Sequence, residues 1–357
     1  MNVEFYPLKV SNITRLCADA VAIDFAVDEP LKELFKFQQG QHIIIEAEIE
    51  GEKIRRSYSI SVGRDSDQLQ VGIKKIAEGV FSNFANEQLQ VGDILQVMPP
   101  QGHFYTPLAP NQQKHYGLIA AGSGITPMLS IAESVLAGEP HSKVCMVFAN
   151  KTTQTMMFKE RVSFLKNRYM SRFSLINVFS KEEQEAEVLH GRLSAEKLKA
   201  LDACRLLDMA SFDECFLCGP QSMVKSIEEA LLEAGLKSEN IHYELFYAGD
   251  EQAAELTTAQ KADTAVKEVI VKSGGRKLTL ELTATGVDIL ESALQHGLDL
   301  PFSCKGGVCA TCKARVVSGK VHMDRNHCLT DLEVAQGMIL TCQSHPVTDQ
   351  VEVDFDV

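Results

Sequence analysis

The sequence predicts a multi-domain chain: an antiparallel β-barrel, then an α/β domain with a parallel sheet, then a smaller α+β domain. Three observations predict it. Short alternating runs punctuated by Gly, Asp and Pro extend from Met1 to about Leu108. Apolar runs then alternate with stretches of helical period from about His115 to Tyr247. Three cysteines fall within nine residues near the end, at Cys304, Cys309 and Cys312. Evenly spaced short strands read as a barrel, and strands alternating with helices read as a parallel sheet with crossovers.

The size agrees. At about 100–200 residues per domain, two or three domains are expected from a chain of 357 residues, 45% of them apolar. The net charge is −13, with no Lys/Arg run, which argues against a nucleic-acid-tracking groove. The opening MNVEFYPLKV has no basic segment followed by an apolar run, so no signal peptide is read. The most apolar long stretch, Tyr116–Gly138, holds Gly122, Gly124, Pro127 and Glu133 and does not read as a membrane span. In such a chain the ten cysteines read as thiols or metal ligands, and the expected compartment is the cytoplasm.

In the first region, "QHIIIEAEIEG" and "RRSYSISVG" are the clearest strands. In the second, "KHYGLIAAG", "KVCMVFAN", "FSLINVFS" and "ECFLCGP" read as buried strands. "TPMLSIAESVLAG", "MMFKERVSFLKNRY" and "QSMVKSIEEALLEAG" read as helices. A polar, Ala/Thr-rich stretch over residues 249–265 reads as a linker. Beyond Val266, "EVIVKSGGRKLTLEL" predicts a hairpin turning at Gly274 and Gly275, and "DILESALQHG" a short helix.

The cysteine spacing is C-x4-C-x2-C, with Cys342 following after twenty-nine intervening residues. That is the spacing of a plant-type [2Fe–2S] site, where four thiolates hold two irons. Gly306, Gly307 and Ala310 are small enough for the loop to wrap closely, with their N–H groups free to meet sulfur. A Zn(Cys)4 site is the alternative, although zinc ribbons favour two separate knuckles. Cys328 is a rival fourth ligand to Cys342, whose context is "LTCQSHP". A one-electron cluster is a wire, and it implies an electron source upstream.

Several other stretches bear on that source. "RRSYS" contains Arg56, Tyr58 and Ser59; a Tyr on a barrel strand offers a flat face to an aromatic ring, and an Arg two residues earlier shares that face. "AEGVFSNF" places Gly79, Val80, Phe81 and Ser82 where a helix begins, as an anion site would require. "AAGSGITPM" places Gly122, Gly124, Thr126 and Pro127 at a strand-to-helix junction. "CFLCGP" holds Cys215, Cys218, Gly219 and Pro220; residues three apart on a strand point to opposite faces, which argues against a shared metal or a disulfide. "YELF" supplies Glu244 and Phe246.

Together these stretches resemble the ferredoxin–NADP⁺ reductase family, in the form of oxygenase reductases with a C-terminal plant-type [2Fe–2S] ferredoxin domain. The resemblance covers nearly the whole chain. It implies an FAD-binding barrel over 1–110, an NAD(P)-binding domain over 111–248, the linker, and a β-grasp ferredoxin domain over 266–357. It also implies that Tyr58 stacks on the flavin, Ser59 lies near its N5, and Arg56 with the Gly79–Ser82 turn meets the pyrophosphate. Here the chain departs from many members, carrying Glu78 and Val80 in place of a second Gly and an Arg. Gly122, Gly124, Thr126, Pro127, Gly219 and Pro220 fall to the nicotinamide nucleotide. Cys218 falls beside the nicotinamide, and Glu244 with Phe246 covers the other flavin face. Ser59, Cys218 and Glu244 form the expected catalytic set. Lys151 and Thr152, with Arg161, follow the second strand of the domain and lean toward NADPH over NADH. Cys304, Cys309, Cys312 and Cys342 are the expected cluster ligands.

Segments such as "GQHIIIEA", "MMFKE", "LHGRLSAEKL" and the terminal "VEVDFDV" extend the likeness to reductases that serve a di-iron epoxidase of phenylacetyl-CoA. That implies an oxygenase component as partner, with no nucleic acid and no membrane. A reductase for a steroid or aromatic-ring oxygenase shares every motif and stays open. A non-enzymatic iron–sulfur sensor is the other alternative.

Overall fold

The computed structural model describes residues 4–246 and 265–356. The chain divides into two compact units, one spanning Tyr6–Phe246 and the other holding the described C-terminal residues with Glu4 and Phe5. The expected linker lies, apart from Ala265, outside the described residues. Among the described residues no helix is long and apolar enough to cross a membrane.

The first unit opens with six antiparallel strands: β1 (Tyr6–Cys17), β2 (Ala20–Ala26), β3 (His42–Ile49), β4 (Glu52–Ser59), β5 (Leu69–Lys74) and β6 (Ile94–Val97). Their order is β4-β3-β6-β1-β2-β5, and a bridge between Ile60 and Val71 joins the two ends into a barrel. Ile43, Ile45, Ile60, Val71 and Phe81 fill its core. Helix α1 (Val80–Glu87) follows β5.

Five parallel strands follow: β7 (His115–Ala121), β8 (Lys143–Asn150), β9 (Phe173–Phe179), β10 (Glu214–Cys218) and β11 (Ile241–Glu244). Helices α2 (Ile125–Gly138), α3 (Lys159–Arg168), α4 (Ala195–Ala203) and α5 (Gln221–Glu233) connect them. The order β11-β10-β7-β8-β9 reverses direction between β7 and β10. In open parallel sheets, ligands bind at the carboxyl ends of the strands at such a switch point.

Barrel and parallel sheet are one unit because they share a core. Ala20, Ala22 and Phe104 of the barrel region pack with Met128, Phe148 and Phe216. The apolar trio Met156, Met157 and Phe158, which the periodicity assigned to a helix, precedes α3 and enters this shared core. A Cβ at Gly72 on β5 would lie 2.8 Å from both Phe158 and Thr126, so only glycine lets the trio dock on the barrel. Polar pins add to this. Arg161 donates through Nε and Nη2 to the two carboxylate oxygens of Glu133, each at 2.6 Å, and through Nη1 to Gln70 of β5 at 2.8 Å. Glu133 also accepts from the Gly63 N–H at 2.8 Å. Buried Glu214 accepts from Thr106, at the barrel exit, and pairs with Lys114 and His242. Burial alone would raise its carboxyl, but these donors outweigh it and hold it below the ordinary value.

The second unit is a β-grasp. Strands β12 (Lys267–Ser273), β13 (Arg276–Leu282), β14 (Lys313–Ser318), β16 (Met338–Leu340) and β18 (Gln350–Asp354) order as β13-β12-β18-β14-β16, with β12 and β18 parallel. A two-stranded pair, β15 (Val321–Met323) and β17 (Ser344–Pro346), stands apart. The hairpin turns at Gly274 and Gly275 as expected, with φ of 56° and 73°. Two successive positive φ values make the type I′ turn that suits strand twist. Helix α6 (Ile289–Gln295) is capped by Asp288, which accepts from the Glu291 N–H at 2.8 Å.

Candidate functional site

The cluster loop carries its own electrostatics. Lys305, Gly307 and Ala310 adopt left-handed φ of 50°, 76° and 52°. Those turns aim successive amides inward, an arrangement that favours anions. The Gly306 N–H donates to Cys304 Sγ at 3.3 Å, and Gln343 Nε2 to Cys342 Sγ at 3.6 Å. The cysteines sit as two pairs. Cys304 lies beside Cys309 and Cys312 beside Cys342, and sharing a proton within each pair lowers the Cys304 and Cys342 thiols while Cys309 and Cys312 are raised. Cys328 stays outside both pairs, its Sγ donating to the Gly307 carbonyl at 3.4 Å. Burial pushes its thiol up to about 12. Among the described residues, no three His, Cys, Asp or Glu side chains converge on one point fit for a single metal ion. Two cysteine pairs with inward amides fit a two-iron cluster, one pair per iron, better than a single zinc.

At the switch point, the two glycines of "GSG" do different work. Gly122 has φ of 56°, and a Cβ there would meet nothing within 4 Å. Its positive φ and open space leave room for a dinucleotide. A Cβ at Gly124 would lie 2.2 Å from the Cys218 carbonyl oxygen, so this glycine serves close packing of β10 on the start of α2. Thr126 is buried and donates to the Ser123 carbonyl at 3.1 Å, while Pro127 sits in the first turn of α2. Gly219 lies against Met223 and Ala121, and Pro220 caps α5.

Cys218 is fully buried, and desolvation first, with the nearby Glu244 carboxylate, holds its thiol well above the ordinary value. A thiol kept neutral in this way is a poor nucleophile. Cys215 points the other way, toward Gly117. Glu244 pairs with Cys218 across β10 and β11, and its Oε2 accepts from Ser59 Oγ at 2.9 Å. The expected catalytic trio therefore meets at the carboxyl end of the sheet. Phe246 follows and is exposed, so it is not a core side chain.

On the barrel, Tyr58 packs against Phe81 with ring centroids 5.5 Å apart and planes at 38°. Burial raises its hydroxyl. Arg56 is exposed on the same side of β4, with Nη1 on the Arg55 carbonyl at 2.7 Å. The turn before α1 corrects the expectation for two side chains. Phe81 is a core residue, so its side chain is not offered to a phosphate. Ser82 Oγ accepts from the Ile76 N–H and donates to the Gly79 carbonyl, both at 3.1 Å, and so braces the turn from inside. Gly79 is the cap and has no side chain, which leaves the first amides of α1 for an anion. Val80 is exposed beside them.

Past β8, Lys151 is exposed and Thr152 joins Thr155 in a capping box. Arg161 is committed to Glu133 and Gln70 and is not free for a 2′-phosphate. The motifs missed two residues here. Glu182 accepts from the Thr153 N–H at 2.7 Å and from its hydroxyl at 2.6 Å, placing a carboxylate beside Lys151 and Thr152. His42 lies behind Glu244, with Nδ1 3.7 Å from Oε1. Neither stands in a motif that carries chemistry, and both reach their partners only through the fold.

The family described as an oxidoreductase FAD-binding domain matches residues 7–105. An oxidoreductase NAD-binding domain matches 118–229, and a 2Fe-2S iron-sulfur cluster binding domain matches 272–347. One component of the 1,2-phenylacetyl-CoA epoxidase of Escherichia coli K12 is 42% identical, over 99% of this chain and 98% of its own. The chain belongs to the FAD- and [2Fe–2S]-containing oxygenase reductases. The reductase is also 30% identical to the ferredoxin reductase component of 3-ketosteroid-9-alpha-monooxygenase from Rhodococcus rhodochrous, over 98% and 96% of the two chains. A solved phthalate dioxygenase reductase shares the three-part fold at TM-score 0.60 and 20% identity, with 98% of each chain covered. The reductase carries electrons from NAD(P)H through FAD and the [2Fe–2S] cluster to an oxygenase component.

Proposed function

We propose that this reductase draws on NADPH and serves a di-iron oxygenase that epoxidises the ring of phenylacetyl-CoA, in the cytoplasm. The observation that carries the partner is the 42% identity along the full length with the epoxidase component, against 30% for the ketosteroid component. None of the ten cysteines is joined in a disulfide, which fits a reducing compartment.

When bound, the flavin turns a two-electron hydride donor into a source of single electrons, and the cluster carries them one at a time. The chain's part is placement. Tyr58 would offer its ring to the flavin, Arg56 and the amides of Gly79–Ser82 would hold its pyrophosphate, and Ser59 would lie near its N5. Gly122, Thr126, Pro127, Gly219 and Pro220 shape the nucleotide cleft at the switch point. Buried Cys218, with Glu244 beside it, would fix the nicotinamide against the flavin, and orientation of this kind supplies much of the rate. Phe246 would cover the other flavin face, and Lys151 with Thr152 would receive the 2′-phosphate. Cys304 with Cys309 would hold one iron, and Cys312 with Cys342 the other.

An anaerobic titration with NADPH, and separately NADH, followed by visible and EPR spectra, tests this. Flavin bleaching with a [2Fe–2S] signal is expected at lower NADPH than NADH. Reoxidation should then require the epoxidase oxygenase, its substrate and air. Equal reoxidation by a steroid or aromatic-ring oxygenase would overturn the partner. No reduction of any external acceptor would favour a sensor.

A further inference from the structure

Gln343 closes a single 3₁₀ turn, Thr341–Gln343, between β16 and β17. That turn is pinned at both ends. The Thr341 N–H and hydroxyl both donate to the Cys312 carbonyl, at 3.2 and 2.9 Å. The Gln343 carbonyl accepts from the Asp324 N–H at 2.8 Å. The residue is buried, and its Nε2 meets three acceptors: the Lys305 carbonyl at 3.0 Å, the Cys342 carbonyl at 2.6 Å and Cys342 Sγ at 3.6 Å. Three acceptors around one atom assign it as the amide nitrogen and not the oxygen. With two hydrogens for three acceptors, one goes to Lys305 and the other is shared by the carbonyl and sulfur of Cys342. Gly307 leaves room for this side chain, since a Cβ there would lie 3.2 Å from Gln343 Cγ and 3.1 Å from the Arg325 carbonyl oxygen. The amide thus straps Cys342, in one cysteine pair, to Lys305, the neighbour of Cys304 in the other.

A donor aimed at a cluster sulfur acts differently in the two redox states. Each transfer moves one electron: the reduced flavin is oxidised by one, the cluster is reduced by one, and no bond to Gln343 forms or breaks. The added negative charge spreads onto the sulfurs, so an N–H facing a sulfur stabilises the reduced form more than the oxidised one. We propose that Gln343 raises the reduction potential of the cluster through its amide N–H on Cys342 Sγ, and so sets how far electrons pass from flavin to cluster. The Cys342 thiol shows the same pull, held below its ordinary value by Cys312 first and, against the effect of burial, by the Gln343 amide. Because the donor is a side chain, it can be removed while the backbone amides of the loop stay in place. The inference rests on the assignment of Cys342 to the cluster and not on which oxygenase is served.

Gln343→Met in the full-length protein with both cofactors bound keeps the length of the side chain and removes the donor. A redox titration followed by EPR should place the cluster midpoint lower. The flavin–cluster equilibrium should shift toward the flavin by roughly threefold to tenfold, the net worth of one hydrogen bond, tenfold being about 59 mV for one electron. Iron and sulfide content, and bleaching of the flavin by NADPH, should match the parent. A role in packing alone would lower the thermal transition or the cluster content and leave the midpoint of the remaining clusters where it was. An unchanged or higher midpoint overturns the proposal. If Gln343→Met assembles no cluster, the unmodified reduced protein decides. With glutamine carrying ¹⁵N at its side-chain nitrogen alone, pulsed EPR should show a ¹⁵N coupling to the cluster, and its absence overturns the proposal. Cys342→Ser separates the two readings. A signal and midpoint untouched by Cys342→Ser remove Cys342 as a ligand and this inference with it. A signal altered or lost there, beside a parental midpoint in Gln343→Met, removes Gln343 alone.

Discussion

Three of the four cluster cysteines stand on one nine-residue loop whose own amides face the sulfurs. The cluster of side chains around Cys218 is built otherwise: Ser59 and Glu244 meet across 185 positions of sequence, and Cys218 and His42 arrive on two further strands. A loop that makes its own environment tolerates change elsewhere in the unit and fails when one ligand is lost. A site made where two folded parts meet is sensitive to anything that shifts either part.

Breaking the local site should have the largest effect. Cys309→Ser removes a thiolate from one pair, so export to cytochrome c should fall by at least about a hundredfold, while NADPH still bleaches the flavin. Parental export with no cluster EPR signal would refute the linear wire. Next comes the distributed site. Gly124→Ala drives a methyl into the Cys218 carbonyl and should destabilise the Tyr6–Phe246 unit by about 1–3 kcal/mol. Flavin bleaching should slow with it, and the cluster signal should remain. Gly122→Ala meets open space and strains only its positive φ, so its thermal shift should be smaller; an equal or larger shift would reverse the roles assigned to the two glycines.

Arg161→Ala removes the bidentate pair that ties α3 to α2 and β5. Leaving partly buried Glu133 without its cation should cost about 1–3 kcal/mol, read as a lower first transition in calorimetry. An unchanged transition would mean that the shared apolar core alone joins the barrel and the parallel sheet. The smallest effect is expected from Cys328→Ser. Its sulfur meets the Gly307 carbonyl and neither cysteine pair, so the EPR signal and export should stay within about twofold. Loss of the signal would make Cys328 a ligand.

Parts of this molecule were legible because the signal is local. The Gly274–Gly275 turn, the cysteine spacing and the strand–GSG–helix junction each arise from neighbouring residues and general backbone rules. Strand β11 and helix α4 went unread: one is four residues long, and the other has a narrow apolar face carried by Leu198 and Leu201. The trio Met156–Phe158 was apolar in helical register, but a barrel surface opened by Gly72 claimed it first. Arg161 read as a free cation until Glu133 and Gln70 were found on either side of it.

The sequence by itself determined the order of three parts, most of the strand and helix types, and the cysteine spacing of a [2Fe–2S] site, since periodicity, turn chemistry and ligand spacing act over a few residues. Only the tertiary structure decided that barrel and parallel sheet are one unit, that Cys328 meets the Gly307 carbonyl, and that Gly124 serves packing while Gly122 leaves space. It alone set His42 behind Glu244. The physical reason is that these choices depend on distances between residues far apart in the chain, which are fixed only when the shared core closes.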